Sequence, residues 1–228
     1  MALILCLETA TEVCSVALGD DGELLALNGT GEPMDHAARL TTLIASCLKQ
    51  AGKALHSLDA VAVSQGPGSY TSLRIGYSTA KGIAYALGIP VLEIDTLQAL
   101  AARGVAEANR PGALYCAMLD ARRMEAYYAL YSETGQQIEP PLAAELSPEM
   151  FDAYYARGAS MVFTGNAAEK YSRIHAHANA LFLPLPASAE TFPALAEKKF
   201  RQGAFADTAY CGPLYLKPPN ITQARAIL

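Results

Sequence analysis

The chain has 228 residues, 52% of them hydrophobic and 17% charged, and a formal net charge of −5. That apolar content suits one large domain or two small lobes and excludes a disordered chain. The basic residues form only two small groups, Arg122/Arg123 and Lys198/Lys199/Arg201, which excludes tight binding of nucleic acid by the chain alone.

The opening MALILCLETATEVCSVAL carries no basic stretch, and charge or turn residues interrupt each apolar run before the ~20 residues that span a bilayer. A cytoplasmic protein with no membrane segment is expected. The first residues read as three strands, Leu3–Glu8, Val13–Gly19 and Glu23–Asn28, joined by polar turns into an antiparallel meander. A helix over 36–51 follows, with Asp35 as N-cap, Leu40, Leu43/Ile44, Cys47/Leu48 and Ala51 at helical spacing, and Gly52 as its stop. Asp59–Ser64 is a short apolar strand, and the loop Gln65–Tyr70 leads into a helix over Thr71–Leu87 that Gly88 and Pro90 end. Val91–Asp95 predicts a strand and Thr96–Ala108 a helix.

The turn Asn109-Arg-Pro-Gly112 is the expected boundary between an N-terminal lobe, 1–108, and a reduced C-terminal lobe, 109–228. Beyond it, strands over Ala113–Asp120 and Glu125–Tyr131 begin a second meander. A helix over Pro148–Arg157, a strand over Met161–Thr164, a helix-prone stretch over Ala167–Ala178 and a helix over Thr191–Gln202 come next. The tail from Lys217 is expected to be loosely held. This order predicts an α/β fold of mixed sheet with helices on both faces, duplicated along the chain.

Five scattered cysteines, Cys6, Cys14, Cys47, Cys116 and Cys211, without CxxC spacing read as reduced, buried thiols. His36, His56, His175 and His177 provide no pair three or four residues apart, so no helical metal pair is expected. No GxSxG, CxxC or HExxH occurs. Three segments could meet an anion or nucleotide. Glu8 and Thr9 close the first strand at a tight turn, where a plain polar turn is an equal alternative. Gly66, Gly68 and Ser69 lie between a strand and a helix N-terminus, although the loop is neither GxGxxG nor GxxxxGK[ST]. Asp120 and Arg122, with Arg123, follow a buried strand as a clamp or a charged hairpin turn. Arg74, in the first turn of its helix, calls for a compensating negative charge, most simply an ion pair to Glu8 or Asp120. Helix 71–87 is apolar nearly all round, so it needs cover on more than one side.

The runs Ile4-Leu-Cys-Leu-Glu-Thr-Ala-Thr-Glu-Val-Cys-Ser-Val-Ala-Leu18, Gln65-Gly-Pro-Gly-Ser-Tyr-Thr-Ser-Leu-Arg-Ile-Gly76, Gly82-Ile-Ala-Tyr-Ala-Leu-Gly-Ile-Pro90 and Leu119-Asp-Ala-Arg-Arg123 closely resemble the bacterial TsaB (YeaZ) family. The resemblance implies a two-lobed actin-like ATPase fold (ASKHA, ribonuclease H-like). It implies a non-catalytic partner and activator of TsaD in forming N6-threonylcarbamoyladenosine at position 37 of ANN-decoding tRNAs, with TsaE joining the complex. It further implies a homodimer when the chain is alone, contact with tRNA only through the complex, and no cofactor of its own, with ATP or ADP and Mg considered only at the complex interface. TsaD-like members carry a helical His-x-x-x-His metal pair; here the same helix reads His36-Ala-Ala-Arg-Leu40. Family members often have Asp-Thr-Ser at Glu8-Thr9-Ala10 and Gly-Leu-Arg at Ser72-Leu73-Arg74. The expected partner surface comprises His36, Arg39, Leu43, Ile75, Tyr77, Ala80, Ile83 and Ala84. The rival reading is an actin-fold ATPase or phosphotransferase acting through Glu8 and the Gly66–Ser69 loop.

Overall fold

Residues Leu3–Leu7 are apolar without alternation, a pattern that suits a strand covered on both faces. In the computed structural model, which describes residues 2–29 and 36–218, this segment is β1 (Leu3–Glu8), and all six of its residues are buried. It pairs antiparallel with β2 (Ser15–Asp20), which pairs antiparallel with β3 (Glu23–Gly29). On its other side β1 runs parallel to β4 (Ala60–Gly66), which runs parallel to β5 (Val91–Asp95). The sheet order is β3-β2-β1-β4-β5.

Helices α1 (His36–Gln50) and α2 (Tyr70–Leu87) cover one face of this sheet. Leu40, Ile44 and Cys47 of α1 and Tyr77, Ala80 and Ala84 of α2 share a core with Leu5, Leu7, Val16, Val61 and Val63. The helix α3 (Thr96–Ala108) follows β5; it is capped by Asp95, whose carboxylate accepts from the N–H groups of Leu97 at 2.8 Å and Gln98 at 3.0 Å.

The second sheet repeats the first. Strands β6 (Leu114–Asp120), β7 (Glu125–Ser132) and β8 (Gln137–Glu145) form the antiparallel meander, and β9 (Met161–Thr164) and β10 (Ala180–Leu183) add in parallel beyond β6. The order β10-β9-β6-β7-β8 is the first sheet's order read from the opposite edge. The short helices α4 (Asp152–Tyr155) and α5 (Ala168–Ser172) stand where α1 and α2 stand in the first half, and α6 (Phe192–Arg201) closes the series.

The last helix of each half crosses to the other. Leu97, Leu100 and Ala101 of α3 pack with Tyr115, Ala117, Leu119 and Val162 of the second sheet. Phe192 and Ala196 of α6 pack with Ile4, Cys6, Ala62, Leu92 and Ile94 of the first.

The structure revises the sequence reading where turn or tertiary forces compete with local pattern. The second strand starts at Ser15, because 11–13 belong to the turn. The strand β8 was not expected, since Pro140 and Pro141 argue against a strand; they fit because β8 is an edge strand and its register with β7 shifts between Tyr128 and Leu130. The strand β10 also escapes the pattern, and the helix-prone stretch before it yields only α5. The proposed N-cap Asp35 lies outside the described residues.

Gly165, which ends β9, adopts φ +114°, and a Cβ there would lie 2.0 Å from the Met118 carbonyl oxygen. Gly165→Ala combines a disfavoured backbone with a clash against main chain. It should lower unfolding stability by about 2–4 kcal/mol in urea denaturation, whereas Gly135→Ala, in an open hairpin turn, should lower it by about 1 kcal/mol.

Candidate functional site

The ends of β1, β4 and β6 meet between the lobes around a cleft of about 490 Å³, lined by Ala10, Gly68, Ser69 and Tyr70 on one side and by Asp120 and Arg122 on the other. On the first-lobe side the loop after β4 is seated on the turn after β1. Ser69 N–H donates to the Ala10 carbonyl at 2.7 Å, and a Cβ on Gly68 would lie 2.2 Å from that same oxygen. Ser69 caps α2, its Oγ accepting from Ser72 N–H at 3.4 Å and from the Ser72 hydroxyl at 2.9 Å. Both Ser69 groups are therefore committed to the fold.

Glu8, Thr9 and Gly66 lie behind the cleft lining. Glu8 and Thr9 are fully buried. Glu8 Oε1 accepts from Ala10 N–H at 2.5 Å, and Thr9 N–H donates to Ser64 Oγ at 3.0 Å. Glu8 Oε2 has no hydrogen-bond partner among the described residues. Burial pushes the Glu8 carboxyl up to about 7, against the opposing effect of the Ala10 N–H. Gly66 has φ +102°, and its N–H donates to Thr96 Oγ1 at 3.2 Å. From α2, Gly76 is pressed so close that a Cβ would meet Thr9 Oγ1 at 2.3 Å. A phosphotransfer reading needs Glu8 at the cleft surface, and the Ala10–Gly68 contact closes that corner.

On the second-lobe side, Asp120 Oδ1 accepts from Lys170 Nζ at 2.6 Å and from Arg122 N–H at 2.8 Å, in a turn where Arg122 and Arg123 have φ +70° and +50°. Asn166 Oδ1 accepts from Asp120 N–H at 2.9 Å. The expected pairing of Arg74 with Glu8 or Asp120 is absent: Glu8 is sealed in, and Asp120 pairs with Lys170. Arg74 instead donates from Nε to the Tyr215 hydroxyl at 3.0 Å, and its guanidinium lies 4.1 Å from the centre of the Tyr70 ring.

Tyr215 arrives on a strap that the sequence pattern did not disclose, because it has no periodicity. Residues 204–218 follow α6 and run beside α2. Ala206 N–H donates to the Val91 carbonyl at 2.9 Å, and Leu214 N–H to the Gln65 carbonyl at 2.8 Å. Tyr215 stacks on Tyr70 with ring centres 4.7 Å apart, and Lys217 forms an ion pair with Glu125 of β7. The start of the tail is thus pinned through Lys217; residues 219–228 lie outside the described residues.

The expected partner surface also needs correction. Tyr77, Ala80 and Ala84 are buried in the core beneath α2, and the Tyr77 hydroxyl donates to Glu93 at 2.6 Å. A helix apolar all round does not disclose which face is inner, and here that face carries these three. Ile75 and Ile83 are half-buried, as is Leu43, while Arg39 is exposed on α1. The His36 side chain lies outside the described residues. Arg74, Ser78, Gly82 and Tyr85 form the outward line of α2 at i, i+4, i+8 and i+11, and Tyr85 is 89% exposed.

Residues 33–202 match the family model described as TsaD: tRNA N6-adenosine threonylcarbamoyltransferase. The chain is 32% identical to YeaZ from Pseudomonas aeruginosa; the match covers 95% of this chain and 100% of that one, with a TM-score of 0.80. The chain belongs to the TsaB (YeaZ) family. It is also 28% identical to the tRNA threonylcarbamoyladenosine biosynthesis protein TsaB of Escherichia coli (strain K12), over 94% of each chain. The activator of the 2-hydroxyisocaproyl-CoA dehydratase from Clostridium difficile shares the fold at a TM-score of 0.51 and 11% identity, covering 89% of this chain and 97% of that one. The fold is that of the actin-like ATPases, two lobes of mixed sheet flanked by helices. No described helix is long and apolar enough to cross a membrane, and no three His, Cys, Asp or Glu among the described residues gather as a metal would require.

In this TsaB-family chain Glu8 sets a pH dependence. Its carboxyl rises from an ordinary 4.5 to about 7 on folding, so between those values the folded chain holds a proton that the unfolded chain releases. Its stability contribution is fully present below about pH 4.5 and is lost as pH rises through about 7. Glu8→Gln should remove this loss, gaining on the order of 2–3 kcal/mol relative to the parent chain between pH 5 and pH 8. Parallel pH profiles of denaturation for the two chains would contradict the assignment.

Proposed function

We propose that this chain acts in the formation of N6-threonylcarbamoyladenosine at position 37 of ANN-decoding tRNAs, as a non-catalytic partner and activator of TsaD. Similarity to TsaB along nearly the whole chain supports the pathway. The observation that carries the partner role is the outward face of α2. Two large side chains of the types that anchor interfaces, Arg74 and Tyr85, flank a flat middle made by Ser78 and Gly82, and nothing lies within 4 Å of where a Gly82 Cβ would stand. That shape lets another helix approach closely. Arg39 and Leu43 on the neighbouring α1 widen the contact, which should bury about 1,600 Å² in total.

Two features support placing the transfer chemistry in the partner. Leu40 occupies the position of the second histidine in the TsaD-like pair, and it is packed into the core. The Glu8 corner is closed by the loop after β4. Docking would then work by favouring a TsaD geometry competent for threonylcarbamoyl transfer. In the absence of TsaD the same face would receive a second copy of this chain; TsaE would join the assembled pair, tRNA would be met through the complex, and ATP or ADP with Mg would be held at the complex interface and not by this chain alone.

The test is synthesis of the modified base in a reconstituted mixture of the adenylate-forming enzyme, TsaD, TsaE, tRNA, ATP, threonine and bicarbonate, with and without this chain. The modified base should form only when the chain is present. Ser78→Arg and Gly82→Arg, which alter exposed positions, should lower both TsaD binding and yield at least ~10-fold while leaving the thermal midpoint within a few degrees. Full synthesis without the chain would end the partner reading.

A further inference from the structure

Arg74 is a cation at the end of α2 where the helix dipole is itself positive, and such a residue ordinarily needs a carboxylate nearby. Among the described residues it forms no ion pair. It is held instead by two aromatic side chains, the Tyr70 ring at 4.1 Å and the Tyr215 hydroxyl at 3.0 Å, and the two tyrosines stack on each other. Tyr215 lies 141 residues away in sequence, on a strap fixed on either side of it by the Leu214–Gln65 hydrogen bond and the Lys217–Glu125 ion pair. Two segments, α2 and the strap, thus orient one exposed guanidinium, and among the described residues its charge has no opposite.

Such an arrangement suits recognition. A free arginine loses rotamer freedom when it binds, whereas a clamped planar fork has lost it already and meets a carboxylate in a bidentate manner. Arg74 begins the outward line that continues through Ser78, Gly82 and Tyr85; the two tyrosines that hold it line the cleft, and Arg74 itself does not. Its place at the head of that exposed line puts it within reach of a helix laid along α2. The chain as a whole is negative, so this local cation is also a means of choosing an orientation for a partner.

We propose that the Tyr70–Arg74–Tyr215 clamp is a preset recognition point for an Asp or Glu on the helix that docks along α2, and that it fixes the register of that helix. This rests on the docking role proposed above. Arg74 makes the contact, and Tyr70 and Tyr215 are positioning residues.

The experiment measures affinity of the full chain for purified TsaD at 50 and 300 mM NaCl, with thermal midpoints recorded for each variant. Arg74→Ala should weaken binding on the order of 10-fold and Arg74→Glu more, both with a reduced salt dependence. Arg74→Lys should fall between the parent and Arg74→Ala, because it keeps the charge and loses the fork. Tyr215→Phe, which keeps the ring and removes the hydroxyl, should weaken binding about 2- to 5-fold at an unchanged thermal midpoint. One Asp→Arg or Glu→Arg change on the docked helix of TsaD should restore binding to Arg74→Glu. If Arg74→Glu binds like the parent while Gly82→Arg does not bind, docking stands and the clamp assignment is overturned. If inorganic phosphate competes at the Arg74-dependent contact and no acidic position on TsaD restores Arg74→Glu, the site reads phosphate and the proposal is overturned. Absence of binding by the parent chain would remove the docking role itself, and the inference with it.

Discussion

Both sheets of this protein must be covered on two faces, and neither half of the chain carries enough helix to do so alone. The first half places α1 and α2 on one face of its sheet; the inner side chains of the other face, Ile4, Cys6, Ala62, Leu92 and Ile94, need α6, which comes from the end of the chain. The second half has only the short α4 and α5 for one face and takes α3 from the first half for the other. This exchange ties the lobes through buried apolar contact, a more durable link than the exposed ion pairs at their edges. It also brings the ends of β1, β4 and β6 opposite one another, which creates the cleft.

The cleft's first-lobe corner shows what the fold does with that position. A carboxylate at the end of β1 facing a glycine-rich loop has the makings of a phosphate site, but Ala10 stands where the loop comes down. Gly68 lets the loop approach the Ala10 carbonyl, and Gly76 lets α2 approach Thr9. Two close contacts made by glycines thus fix loop and helix on the strand end and shut Glu8 inside. The energetic consequence is a buried carboxyl that prefers its proton, and the geometric consequence is a rigidly set α2. A helix so placed suits the docking proposed above better than a mobile one would, since less order remains to be imposed on binding.

Much of this architecture was legible locally. The ends of α2 are marked by Ser69, which caps it, and by Gly88, which takes φ +68°. The end of α3 is marked by Asn109, which takes the left-handed conformation after it. The meander was legible because its turns carry Asp20-Asp21-Gly22 between apolar runs. In the cleft, Gly68, Ser69, Asp120 and Arg122 were found because residues at strand ends face the gap between the lobes. What the sequence concealed has long-range causes. Pro140 and Pro141 are tolerated in β8 because that strand lies at a sheet edge. Glu8 and Thr9 look like cleft residues until the approach of Gly68 and Gly76 is known, and Arg74 looks like an ion-pair partner until Tyr215 arrives from the far end of the chain.

The composition of α2 reflects two faces with different surroundings, one buried and one exposed. Its inner line, Leu73, Tyr77, Ala80 and Ala84, must fit against β1 and β4, and the small residues there set the distance between helix and sheet. In the docking proposed above, its outer line leaves room for another helix, so Ser78 and Gly82 are small for a separate reason. Sequence alone merges the two lines into one apolar, small-residue helix, and only burial separates them. A bulky residue on the inner line acts on folding, whereas under the proposed docking the same residue one step round the helix acts on association. The strap beside α2 respects this division: Ala206 and Cys211 pack against the core, while Tyr215 reaches the outer line at Arg74, so the chain's last described segment contributes to both surfaces.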